Sequence, residues 1–170
     1  MNALKIATPE KSLMRDCFTT IHYSDSFSGE IISRQPIQVT SIARYLLNYN
    51  PTWLVWLYKV RNCLVRPLGL QTGEEVEQPV LAIRKGERAG FFDVQEVTDE
   101  EVLLYASDKH LSASLSFRLE IQPYKYKVTV TTKVCYHNFW GRVYFFVVKP
   151  FHILIIKSMI TSITNEFSEK

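Results

Sequence analysis

Histidine is the side chain best placed to move a proton near neutral pH, and this chain has four. Asp108 and His110 are two residues apart, close enough for the carboxylate to orient and charge the imidazole. They are a candidate acid/base pair or ligand-binding dyad. The competing reading makes Asp108 a hairpin-turn residue, favoured there for its local hydrogen bonds. Strand parity favours that reading: His110 shares register with Ser112 and Ser114, which directs it outward. A second group, His137-Asn138-x-x-Gly141-Arg142, lies where a strand runs into a helix. Arg142 could grip a carboxylate or phosphate with its planar fork, with His137 beside it at one end of a cavity. Asn138 is also a good N-cap, and capping carries more weight than catalysis at this junction. His137 falls on the Lys133 side of its strand, again outward. His152 stands on an apolar helix. It is the best single candidate for a polar contact inside a mainly apolar pocket, although a lone histidine there is ordinarily a hydrogen-bonded core or rim residue.

No residue is assigned a catalytic role. No nucleophile elbow, P-loop or zinc-protease helix is present, and there is no G-x-G-x-x-G, so the chain is not itself a dinucleotide binder. Cys135-x-His137 has no second ligand cluster, so no metal and no cofactor is expected. Cys17, Cys63 and Cys135 are odd in number and far apart, as free thiols in a reducing compartment would be. With no apolar leader in the first twenty residues, the expectation is cytoplasmic. A net charge of +3 and a single basic-aromatic patch, Tyr124 to Lys127, argue against nucleic acid. Residues 143–163 are long enough to span a bilayer. Lys149, Pro150, His152 and Lys157 interrupt them, each central lysine costing about 2.5–3.5 kcal/mol, so a buried helix is expected rather than a membrane span.

The elements that must hold these residues follow from pattern. At 170 residues, with 46% hydrophobic and 22% charged residues, the chain fits a single domain, with residues 1–20 as a poorly ordered N-terminal arm. Residues 21–32 read as a first strand, 42–48 as a short helix, and the Trp53, Leu54, Trp56, Leu57, Val60, Leu64 stripe as a second. Residues 80–83 read as a short strand or else as loop. Four strands then recur about every ten residues, at 91–97, 102–107, 111–121 and 127–136. In the third, Leu111 to Ile121 alternate with Ser112, Ser114, Ser116, Arg118 and Glu120, predicting one apolar and one wet face. A terminal helix follows, kinked or restarted at Pro150. Its buried side is predicted as Phe151, Leu154, Ile155, Met159, Ile160, Ile163 and Phe167. The fold class is α+β, an antiparallel sheet of about six to seven strands wrapped around a long C-terminal helix.

That order of elements resembles the helix-grip fold of START domains and Bet v 1 allergens. Four blocks are similar to a bacterial family known as domain-of-unknown-function family 2867: Tyr23-Ser24-Asp25-Ser26-Phe27, Arg61-Asn62-Cys63-Leu64-Val65-Arg66-Pro67-Leu68-Gly69, Asp108-x-His110-Leu111, and the whole stretch from His137-Asn138 to Phe151-His152. The chain departs from it at Ser112-Ala113-Ser114, where the family carries Asp-Phe-Arg, which marks a lost or altered site. The resemblance implies a cavity between sheet and terminal helix for a small hydrophobic or amphipathic ligand. Phe117, Leu119, Val130, Tyr144, Phe151 and Ile155 would line it, with His152, His137 and Arg142 as polar contacts. The alternatives are a cyclase- or dehydratase-like enzyme using a cavity histidine, and a non-catalytic partner of an oxidoreductase-like protein. The balance falls against an enzyme.

Overall fold

The computed structural model describes residues 3–50, 79–123 and 125–168. Seven strands form one antiparallel open sheet in the order β1-β2-β7-β6-β5-β4-β3. They are β1 (Leu4–Lys5), β2 (Tyr23–Ile32), β3 (Arg88–Ala89), β4 (Phe92–Val97), β5 (Glu101–Ser107), β6 (Leu111–Gln122) and β7 (Lys125–Tyr136). Among the described residues, two helices cover the inner face, α1 (Val39–Leu47) and the 29-residue α2 (Phe139–Phe167). The class is α+β, as the meander predicts. A short helix follows the first strand. The second, expected on the Trp53 to Leu64 stripe, and the Arg61 to Gly69 block lie outside the described residues. Residues 80–83 form no strand.

Register fixes what each face carries. Phe27, Val130 and Phe117 stand opposite one another across β2, β7 and β6, as do Gly29, Val128 and Leu119. With Val102 and Leu104 of β5 they are at most 1% exposed among their apolar members, and they pack with Ile42 and Leu46 of α1 and Ile160 and Ile163 of α2. Period-two alternation on the strands thus meets helical spacing on α1 and α2 in one core.

The path of α2 follows β2. Asn138 caps its start, its Oδ1 accepting the Gly141 N–H at 3.0 Å. Gly141 lies against the His110 backbone carbonyl so closely that a Cβ there would overlap it. Farther along, a Cβ on Gly29 would sit 2.5 Å from the Ile160 Cγ2 methyl, so glycine lets helix and strand approach. The helix continues through Pro150 and does not restart there. Pro150 is exposed, so the carbonyl its ring leaves unbonded can be hydrated. Leu154, expected to be buried, is 51% exposed, while Ile156 takes the buried position. By length and composition alone α2 could cross a membrane, and 22% of its most apolar stretch is buried.

The outer face corrects a further expectation. Ser112, Ser114 and Ser116 are not wet: they are 1–3% exposed. The N-terminal arm covers this face. A 3₁₀ turn at Leu13–Asp16 is tied down by Glu101, whose carboxylate accepts from the Ser12 hydroxyl at 2.6 Å, from the Leu13 N–H at 3.0 Å and from Ser116 Oγ. Lys133 Nζ donates to the Met14 carbonyl at 2.6 Å. Polarity predicted solvent here, but a polar face can be buried when its partners are polar too.

Candidate functional site

The chemistry concentrates where β2 begins under the first half of α2. Tyr23, Asp25 and Phe27 share the inner face of β2 by strand parity. Phe145, His152 and Ile156 lie at helical intervals on the side of α2 that meets it. The Asp25 side chain is 1% exposed, and both its oxygens lie 3.3 Å from His152 Nε2. Tyr23 donates its hydroxyl to Asp25 Oδ2 at 2.6 Å. Phe145 closes the group, its ring 4.7 Å from that of Tyr23, and the Lys149 ammonium lies 5.0 Å above the Tyr23 ring.

Electrostatics follow from this geometry. Burial pushes the Asp25 carboxyl up, but the hydrogen bond and charge of His152 and the Tyr23 hydroxyl outweigh it, leaving the group below its ordinary value. Tyr23 is pushed well above the usual phenol range, first by burial and then by its bond to the Asp25 carboxylate. The Asp25 ion is therefore held as an acceptor, and it orients the imidazole. With Nε2 turned to Asp25, Nδ1 is the ring nitrogen left for a ligand. The His152 side chain is 16% exposed, so the ring is reachable.

Beside this group stand apolar side chains that are not fully buried. Tyr144, Val148, Phe151 and Ile155 occupy the next side of α2 and are half-buried. That side turns toward α1, because farther along it Ser162 hydrogen-bonds to Tyr45 of α1 and Ser158 to Tyr49 just beyond that helix, each at 2.7 Å. On the inner face of the sheet, Leu111 and the cross-strand pair Ala106 and Ala113 are also half-buried. The Ala106–Ala113 pair carries the smallest apolar side chains on this part of the face.

The other sequence candidates fall elsewhere. Phe117, Leu119 and Val130 are 0–1% exposed in the packed core. Asp108 Oδ1 accepts the N–H groups of His110 and Leu111 at 2.6 and 2.9 Å, a turn cap that leaves that oxygen committed to backbone. His110 Nδ1 lies 3.4 Å from Asn138 Oδ1. His137 stands on the outer face, its Nε2 2.8 Å from Ser112 Oγ, which also meets Ser107 and Tyr105. Arg142 is exposed near Tyr136, whose hydroxyl is pushed up by burial and eased down by that guanidinium. Asp25 and Tyr23 were the residues sequence reasoning missed as site members. The available signal was parity: Asp25 shares the face of Phe27 and Ile31, and a carboxylate on an apolar face needs a buried partner. Among the described residues, no group of three or more His, Cys, Asp or Glu is placed to hold a metal ion.

No curated protein and no solved structure matches the chain. The family model described as Protein of unknown function (DUF2867) matches residues 17–159, a span that holds Tyr23, Asp25 and His152, and the chain belongs to that family.

Proposed function

We propose that the chain is a helix-grip domain that binds a small hydrophobic or amphipathic molecule in a trough between the inner sheet face and α2. The carrying observation is the buried Asp25 carboxylate presenting a partly exposed His152 at the edge of half-buried apolar surface. A pocket of that kind pairs apolar walls with one or two oriented polar groups. The walls are Tyr144, Val148, Phe151 and Ile155 on one side and Ala106, Leu111 and Ala113 on the other. His152 supplies the polar contact, and the ligand's head group is a hydrogen-bonding one. Displacement of an environment-sensitive fluorophore by medium-chain carboxylates and alcohols tests this. Wild type should show saturable displacement, and His152→Phe should weaken it about tenfold or more, the worth of one hydrogen bond to a charged group. Equal affinity in both proteins would remove His152 from the site.

A second reading, proton transfer on a bound substrate, rests on the same Asp25–His152 contact, since a carboxylate-oriented imidazole is a competent general base. Hydrogen–deuterium exchange at an acidic carbon of a bound ketone, lost in His152→Phe, would favour it over simple binding.

A further inference from the structure

The face of α2 turned away from the sheet is apolar and uncovered. Phe139 is 69% exposed, Trp140 49%, Phe146 80% and Leu154 51%. With Val143 and Pro150 these positions recur at three- and four-residue steps, forming a ridge about four turns long on one side of the helix. Along its border with β2 and the end of β7 run three cations. Arg142 is exposed beside Tyr136, the Lys149 ammonium rests over the Tyr23 ring, and the Lys157 ammonium lies 5.7 Å from the Phe27 ring centre. From Phe139 to Asn165 the helix carries no aspartate or glutamate.

Charge and composition together select the occupant. A protein-binding ridge has no need of uniform positive charge along one margin. An anionic bilayer surface does attract it, and Phe and Trp sit well at the boundary between head groups and acyl chains. We propose that this ridge docks in the plane of an anionic lipid surface, with Phe139, Trp140 and Phe146 entering the acyl boundary and Arg142, Lys149 and Lys157 at head-group level. This is an interfacial contact, and Asp25 stays buried against the sheet throughout it. The proposal stands independently of the ligand trough, which lies on another side of α2.

Flotation of the full chain with vesicles of phosphatidylcholine alone, or with about 30% phosphatidylglycerol added, provides the test. Binding is expected to the anionic vesicles and to be negligible on the zwitterionic ones. Phe146 is so exposed that Phe146→Asp should keep its circular dichroism spectrum and lose binding. Arg142→Gln should lower partitioning about fivefold, the effect of one cation near such a surface. Tryptophan quenching by brominated lipid should appear in wild type and largely vanish in Trp140→Phe. No flotation with anionic vesicles overturns the proposal, as does binding that Phe146→Asp leaves unchanged. Self-association abolished by Phe146→Asp, without vesicle binding, would assign the ridge to a second copy of the chain and overturn it equally.

Discussion

Replacing Asp25 by alanine removes the acceptor for two donors at once, His152 Nε2 at 3.3 Å and the Tyr23 hydroxyl at 2.6 Å. Breaking a buried pair costs about 3–5 kcal/mol, and a phenol left without an acceptor about 1–3 kcal/mol. The His152 contact is long and its side chain is 16% exposed, so water can reach the imidazole and the total should fall near 3–4 kcal/mol. In a protein of this length each kcal/mol moves the midpoint by about 2–4 °C, so Asp25→Ala should melt roughly 6–16 °C lower at pH 7. Thermal and urea unfolding followed by far-ultraviolet circular dichroism measures it. The acid limb carries the sign. A carboxyl held below its ordinary value of 3.8 binds its proton less readily in the folded chain than in the unfolded one. Its contribution is therefore complete above that value and is lost as pH falls through the folded-state value. The gap between wild type and Asp25→Asn should narrow below about pH 4. A loss under about 1 kcal/mol in Asp25→Ala, or a gap that widens in acid, would refute the buried-acceptor reasoning.

Tyr23 gives the mirror prediction: its raised hydroxyl contributes stability below its ordinary value of 10.0 that is lost as pH rises beyond it, so Tyr23→Phe should flatten the alkaline limb of the stability curve. Gly29→Ala should cost about 1–3 kcal/mol in urea unfolding, because its Cβ would meet Ile160 at 2.5 Å and lift α2 from β2. Glu101→Ala leaves the Ser12 and Ser116 hydroxyls and the Leu13 N–H without their acceptor. It should cost about 3 kcal/mol and speed tryptic cleavage after Lys11 and Arg15, read by mass spectrometry over time.

What the sequence revealed depended on whether a local pattern carried the information. The alternation from Leu111 to Ile121 placed β6 to within a residue, and Asn138 with Gly141 marked the start of α2, because strand parity and capping are local properties. The face of Ser112, Ser114 and Ser116 misled because its cover arrives from the N-terminal arm, about a hundred residues away, held by one carboxylate and one lysine. Leu154 misled because α2 is apolar nearly all round, so helical periodicity could not choose its buried side. Of the site, His152 was legible from its lone place on an apolar helix. Its partner was not, since nothing in the spacing joins Asp25 to a residue 127 positions later.

Native mass spectrometry of the gently purified chain, repeated after denaturation and solvent extraction, tests the ligand-binding claim most directly. The account predicts a bound small molecule, lost on denaturation and depleted in His152→Phe. A wild-type spectrum of the bare chain alone, unchanged after incubation with medium-chain carboxylates and alcohols, would contradict it.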